Sequence, residues 1–299
     1  MKSETFLLIA VTIFKLLLAF NNSRGQYLEL AFLDVGQGDA ILITTPQKKH
    51  ILIDGGEGYS VGQALDAYFP LNNCKLEVMV LTHPHADHLE GLLRTLEHCR
   101  VERVIFNAVS YDSGLYDAWL AFTEGLFSSQ DLVVESLVSG EAFQVDGVTF
   151  YALWPYQKDI PNGFSNLNNS SLVLLLDYGD FEALLTGDAE VEALSEIYSD
   201  FAIDKGFSGG VPALSKPQQI LQKPLEVYKA SHHGSKNGLY KSLWKSLDPE
   251  VTVISVGKEN DFGHPSPEVL EFFESEKAVV KRTDVAGTVK IRYNLTQYE

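Results

Sequence analysis

The sequence predicts an α/β protein of two similar layered units, stacked sheet to sheet with helices outside. Three observations lead there. Apolar residues make up 45% of a 299-residue chain, enough for one large domain or two fused halves with a substantial core. In each half, short apolar runs of strand character come first and helical periodicities follow, although no repeat is visible residue by residue. The turn Thr82-His83-Pro84-His85-Ala86-Asp87-His88 lies between an apolar run, Val78–Leu81, and leucines at 89, 92, 93 and 96 that recur at helical spacing. A ligand-rich turn at the end of a buried strand is where open α/β sheets place their chemistry.

Taken in order, Tyr27–Val35 alternates as a strand and ends at Gly36-Gln37-Gly38-Asp39. Ala40–Thr44 follows at hairpin distance, and Ile51–Ile53 is a third strand, closed by Asp54-Gly55-Gly56. Gly62–Tyr68 reads as a short helix. After the central turn and its helix, Val104–Phe106 is a strand and Leu115–Phe127 a helix with Trp119 and Phe122 inward. Val133–Leu137 and Val148–Trp154 read as strands around a Gly140 turn and an Asp146-Gly147 hairpin turn. Residues 155–169 hold Pro, Gly, Asn and Ser without periodicity and are expected to join the two halves.

The second half opens on Leu172–Leu176, an unbroken apolar run expected to be buried on both faces. Phe181–Leu185 runs to Thr186-Gly187-Asp188 and a helix over Ala189–Tyr198. Gly206–Pro224 reads as a surface insertion. Val227–Ala230 leads into Ser231-His232-His233-Gly234-Ser235, and Val251–Val256 into the Gly263-His264-Pro265 loop. Ser266 is expected to cap a helix with Pro267 at its first position. Val279–Arg282 and Thr288–Tyr293 are expected to close the chain as a hairpin.

The formal charge of −17 argues against non-specific nucleic-acid binding over the whole surface. It is unevenly spread: Lys223–Glu299 holds 11 Lys plus Arg against 11 Asp plus Glu, so the excess lies in residues 1–222. Lys229, Lys236, Lys241 and Lys245 flank the second histidine cluster and read either as a basic surface or as a solvated helix face. Cys74 and Cys99 are too few for a disulfide framework and lack metal-site spacing, so both read as packing residues. Residues 1–25 pair a charged start at Lys2 with an apolar run from Phe6 to Phe20. That run suits a signal peptide, with an uncleaved N-terminal membrane anchor as the alternative.

Three imidazoles and a carboxylate within six residues have no packing rationale. His83 and His85, two residues apart, can address one ion from one side of an extended turn. Asp87 and His88, at the helix start, can address a second. Four ligands are too many for one open site, which points to a two-metal centre.

The turn, with Gly91 behind it, resembles the signature of the metallo-β-lactamase-fold hydrolases, an αββα sandwich of two stacked mixed sheets. Within that superfamily, Leu33–Ala40, Asp54-Gly55-Gly56, Asn169-Ser170-Ser171-Leu172, Leu185–Asp188, Ser231–Ser235 and Gly263-His264-Pro265 are similar to the hydrolase domain of ComEC-type competence proteins. Thr283-Asp284 and Gly287-Thr288 also fit, so the resemblance covers about residues 27–293. The competence proteins carry this domain on a multi-spanning channel. The resemblance implies His83 and His85 on one metal, Asp87, His88 and His233 on the second, and Asp188 as the bridge. His232 would buttress a ligand or face the substrate, and Asp54 would orient a ligating histidine.

Most binuclear members have a further histidine between the central motif and the bridging aspartate. This chain has none between His98 and His232, and Asn168 and Asn169 stand in that region. An amide oxygen suits manganese better than zinc, so the first site is expected to bind weakly, to prefer manganese or to stand empty in isolation. Asp34 and Asp39 read as turn residues and His50 as solvated. His264 is expected to contact a phosphate or leaving group, or to stabilise its loop.

The implied protein is an exported, metal-dependent phosphodiesterase or nuclease using one or two zinc or manganese ions and a metal-activated hydroxide. Its residues of chemistry would be Asp87, Asp188 and His264. DNA, single-stranded by preference, is the expected substrate on family grounds. The domain would lie in the periplasm, outside the cell, or on a membrane through the N-terminal segment. A lactone, thioester or small-phosphodiester hydrolase and a non-catalytic DNA-uptake module are the alternatives.

Overall fold

The computed structural model describes residues 27–69, 73–128, 132–160, 163–201 and 215–294. The leader, and residues 206–214 of the expected insertion, lie outside them.

The first half supplies strands β1 (Leu28–Phe32), β2 (Ile41–Thr44) and β3 (His50–Ile53), then helix α1 (Ser60–Asp66). Strands β4 (Lys75–Leu76) and β5 (Val78–Leu81) lead to helix α2 (Ala86–His98), and β6 (Arg100–Val101) and β7 (Arg103–Phe106) to α3 (Gly114–Ser128). Strand β8 (Val133–Glu135) ends that run. The second half holds β9 (Ala142–Val145), β10 (Val148–Trp154), β11 (Val173–Tyr178), β12 (Phe181–Leu185), α4 (Val191–Phe201) and α5 (Lys216–Ile220). Then come β13 (Val227–Lys229), α6 (Lys241–Leu247), β14 (Val251–Ile254), α7 (Pro267–Ser275), β15 (Val280–Arg282), α8 (Thr283–Ala286) and β16 (Val289–Tyr293).

Two seven-stranded sheets form, in the orders β16-β1-β2-β3-β5-β7-β8 and β15-β14-β13-β12-β11-β10-β9, beside a two-stranded β4-β6 ribbon. Read inward from β16 and from β9, each sheet makes three antiparallel pairings and then three parallel ones. The two layered units expected from the strand-then-helix pattern are thus a topological repeat. The changeover between sheets differs from expectation. Strands β9 and β10 already belong to the second sheet, so the chain crosses between Glu135 and Ala142, ahead of residues 155–169. The final hairpin is absent as well. Helix α8 carries the chain from β15 in the second sheet to β16, which pairs with β1 in the first.

Side-chain alternation builds three apolar layers. Phe32, Ile43, Ile53 and Val80 meet Phe150, Leu174, Leu185 and Val253 between the sheets. Leu42, Leu52, Met79 and Leu81 point the other way, onto Val61, Leu65, Leu92 and Trp119 of α1 to α3. Leu175, Leu184 and Tyr228 likewise meet Leu194, Ile197, Trp244 and Phe273 of α4, α6 and α7. Central strands buried on both faces read as continuous apolar runs, and each such Leu or Ile contributes about 1.5 to 3 kcal/mol. In the part of the expected insertion that is described, Ile220 and Leu221 are buried in this last layer rather than at the surface. Ser266 and Pro267 begin α7 as expected, but the Ser266 hydroxyl makes no capping bond. No described helix is long and apolar enough to cross a membrane.

The cysteines are not separate packing residues: Cys74 and Cys99 are disulfide-bonded, with Cα atoms 4.7 Å apart. The β4-β6 ribbon, pairing Lys75 with Arg100 and Leu76 with Val101, brings the two neighbours together. The bond closes a loop with a sequence separation of 25 around the central turn and α2. Closing a loop of that length restricts the unfolded chain by about 3 kcal/mol. Cys74→Ser/Cys99→Ser protein will therefore melt roughly 6 to 10 °C lower than the parent, and a reductant will move the parent to the same Tm. Calorimetry of the two proteins with and without reductant checks both statements.

Candidate metal centre

Each half contributes to one edge at equivalent places. Asp54 follows β3 and Asp188 follows β12, the last strands before each sheet turns parallel. The His83–His88 turn follows β5, and Ser231–Gly234 follows β13, the first strands of each parallel run. Strand ends at such a switch point leave an open crevice. The glycines make the close fit possible. A Cβ on Gly91 would stand 1.9 Å from the Gly55 carbonyl oxygen, and one on Gly55 would stand 2.3 Å from Leu92 N. With neither present, Gly55 N donates to His88 O at 2.8 Å and Gly91 N to Gly56 O at 3.0 Å, seating α2 on the loop after β3. Asp54, His232 and His233 all hold positive φ (58°, 48° and 53°), backbone that non-glycine residues adopt at a cost and that collects at functional sites.

The side chains converge. His83 Nε2 lies 2.9 Å from His85 Nδ1 and 4.0 Å from Asp188 Oδ2. The same Asp188 oxygen is 3.2 Å from His88 Nε2 and 3.3 Å from His233 Nε2, and His233 Nε2 is 3.2 Å from Asp87 Oδ2. Asp87, His88, Asp188 and His233 offer ligand atoms all within 4.8 Å of one another. His83, His88, Asp188 and His233 are buried. Burial opposes charge on Asp188, but the imidazoles of His233 and His88 overcome it and hold its carboxyl well below the usual range. Burial likewise opposes protonation of His88, yet Asp188, Asp54 and Asp87 hold it well above the usual imidazole value. His83 is pushed well below, by burial and by the charge of His88. Buried His88 Nε2 and Asp188 Oδ1 make no hydrogen bond, although His88 Nε2 is close to Asp188 Oδ2. Nitrogen and oxygen donors gathered at this spacing, with bonds unmade, fit a divalent cation.

A second ring of contacts fixes the donors. Asp54 accepts from Thr82 N at 2.8 Å and Thr82 Oγ1 at 2.7 Å, and its Oδ2 is 2.7 Å from His88 Nδ1, which leaves His88 Nε2 to face Asp188. Asp54, expected to orient a ligating histidine, lies against His88. Asp54→Asn offers one oxygen where two are needed and will lower metal affinity by roughly 10- to 100-fold, read by competition with a chromogenic chelator. His233 Nδ1 is 3.0 Å from Ser255 O and 3.4 Å from Asp39 Oδ1. Asp39 is therefore more than a turn residue, unlike exposed Asp34, whose carboxylate accepts from Gly36 N. Lys229, expected to flank the site at the surface, is wholly buried. Its ammonium pairs with Asp39, donates to Gly187 O at 2.8 Å and lies 3.8 Å from Asp188 Oδ1. Burial raises the Asp39 carboxyl, but Lys229 and then His233 bring it below its ordinary value.

The remaining candidates separate. His232 is partly exposed, its Nδ1 3.0 Å from Glu190 Oε1 and its Nε2 4.0 Å from Asp188 Oδ2. Asn168 is buried. Its Nδ2 donates to Glu190 Oε1 at 3.0 Å, and its Oδ1 makes no hydrogen bond. Asn169 is spent on scaffolding: its Oδ1 accepts from Glu190 N, its Nδ2 donates to Glu192, and its carbonyl accepts from Trp154 Nε1. It holds the residue 167–170 loop to α4 and gives no oxygen to the histidines. The His264 ring stands 5.4 Å from that of His232. His50 packs on Phe69, ring to ring at 4.6 Å, rather than standing in solvent, and His98 is exposed. The sequence reading missed Lys229 and Glu190. A lysine inside the apolar run Val227–Ala230, one strand before the ligand turn, was the available signal.

Residues 33–155 match the family model described as "Metallo-beta-lactamase superfamily". The chain is 29% identical over 286 residues to "ComE operon protein 3" of Bacillus subtilis (strain 168), covering 89% of this chain and 33% of that protein. It is 27% identical over 270 residues to "Recombination protein 2" of Haemophilus influenzae, covering 87% and 28%. The chain thus spans about a third of the length of these curated relatives. Among solved structures, the metallo-beta-lactamase fold protein YhfI from Bacillus subtilis superposes with a TM-score of 0.53 at 10% identity, covering 89% of this chain and all of that one. The fold is the metallo-β-lactamase fold, and residues 33–155 match the model of that superfamily.

Proposed function

We propose that this protein is an exported, metal-dependent phosphodiesterase that cleaves DNA, single strands by preference. The observation that carries the reading is the convergence of His83, His85, Asp87, His88, Asp188 and His233 from both halves onto one edge of the two sheets, with buried donor atoms left unbonded. His83 and His85 would hold one zinc or manganese ion, Asp87, His88 and His233 a second, and Asp188 both. Such ions lower the pKa of a bound water and offset charge on a phosphoryl group.

The chain's own residues then do the rest. Asp54 and Ser255 O fix the ring planes of His88 and His233, so that both Nε2 atoms face inward. Glu190 holds His232 by Nδ1 and leaves its Nε2 toward the crevice. His264 stands beside His232, ring to ring at 5.4 Å, and would contact a phosphate oxygen or the leaving group. Likeness to proteins named for a competence operon and for recombination supports DNA as the substrate. The Cys74–Cys99 bond supports export, because such bonds persist in oxidising compartments.

Metal content of the purified chain, and turnover of labelled single-stranded DNA by zinc- and manganese-loaded protein, test the reading beside Asp87→Ala. Cleavage that needs metal and is lost in the variant supports it. Cleavage indifferent to Asp87→Ala, or none with either metal, rejects it.

A further inference from the structure

Phe262 is the one described phenylalanine with more than half of its surface in water, at 67% exposure. It does not stand on a slack loop. Asn260 Oδ1 accepts from both Phe262 N (3.1 Å) and His264 N (3.0 Å), while Asn260 Nδ2 donates to Gly257 O (3.0 Å) and His264 O (2.6 Å). One side chain therefore pins both ends of a tight turn. Gly257 N in turn donates to Gln37 Oε1 at 3.2 Å, which ties the base of the turn to the other half of the molecule. An apolar ring held outward by this many bonds is pre-organised rather than merely unburied.

Its position gives it a partner. The Phe262 ring lies near-parallel to that of His264, with centroids 6.0 Å apart and planes at 22°. His264 meets His232 edge-on at 5.4 Å, and His232 meets His233 at 6.0 Å. On the opposite side Tyr111, also exposed, meets His85 edge-on at 6.2 Å. An arc of rings thus crosses the metal centre with an exposed aromatic at each end. The cationic alternative is weak here. Lys229 is buried in its pair with Asp39, and Glu190 and Glu192 stand beside Asn168 and Asn169 near the centre. Phe262 stands in the quarter of the chain that carries no net charge, so a polyanion gains little from counterion release there and stacking adds to the affinity.

We propose that Phe262 is a stacking platform for the nucleobase next to the scissile phosphate, selecting nucleotide diesters over base-free ones. The proposal rests on the phosphodiesterase reading and adds a recognition element to it. Stacking on one aromatic side chain changes affinity about tenfold or more.

Full-chain protein, Phe262→Ala and Phe262→Trp are compared on thymidine 5′-(p-nitrophenyl phosphate) and methyl p-nitrophenyl phosphate. The expected result is that Phe262→Ala lowers the ratio of kcat/KM for the thymidine diester over the base-free diester about tenfold, through KM, and that Phe262→Trp restores it. An unchanged ratio in Phe262→Ala, or failure of Trp to restore it, overturns the proposal. A binding arm keeps this outcome separate from failure of the phosphodiesterase reading. In Phe262→Trp/Asp87→Ala protein, oligothymidylate is expected to quench fluorescence saturably, while an abasic deoxyribose-phosphate oligomer does not. Equal quenching by both, or by neither, rejects the platform whether or not any diester is cleaved.

Discussion

In Asp188→Asn protein, metal content falls toward zero at both positions together, and hydrolysis drops by about 10³-fold or more, the loss of several kcal/mol of charge stabilisation. The expectation follows from how much one carboxylate does. Its Oδ2 is 3.2 Å from His88 Nε2, 3.3 Å from His233 Nε2 and 4.0 Å from His83 Nε2, so it is common to both ligand groups. An amide of the same shape keeps the packing but removes the negative charge that draws the cations in. Elemental analysis after dialysis, beside circular dichroism to verify the fold, checks the result. Loss of one ion with retention of the other would mean that Asp188 serves a single ion.

The second large effect belongs to Lys229→Met. Methionine fills the space of the lysine stem but leaves Asp39 buried without its cation, a change that destabilises by about 3 to 5 kcal/mol. Because Asp39 also contacts His233 and the Lys229 ammonium also bonds Gly187 O, metal affinity falls with it, by roughly 10- to 100-fold. The double variant Lys229→Met/Asp39→Asn regains stability, since no unpaired charge remains, but not affinity. Chemical denaturation of the three proteins with and without chelator separates the two effects.

The features legible from the sequence were those governed by local pattern. Apolar runs ending in Asp-Gly, Gly-Asp or histidine turns located β3, β5, β12 and β13 and the candidate ligands that follow them, because strands buried on both faces are predominantly apolar. What escaped was governed by pairing between distant segments. Residues 155–169 read as a junction because Pro, Gly and Asn suppress periodicity. The described part of that segment instead places Asn168 against Glu190, and the real crossing needs only the few residues between Glu135 and Ala142. The expected final hairpin failed because a four-residue helix, Thr283–Ala286, is enough to switch sheets. Cys74 and Cys99 looked unrelated because only the short β4-β6 pairing brings them together. Lys229 read as a flanking residue and Asp39 as a turn residue because only the fold brings the two partners, far apart in sequence, into one buried pair.

The pairing of β16 with β1, which matches Leu28 with Tyr293, bears on the order of events during synthesis. The first sheet lacks its outer strand until β16 has been made, long after β8. Nor can the candidate ligands converge until His233 has been made, 150 residues after His83. The candidate centre is therefore assembled only once both halves have been made.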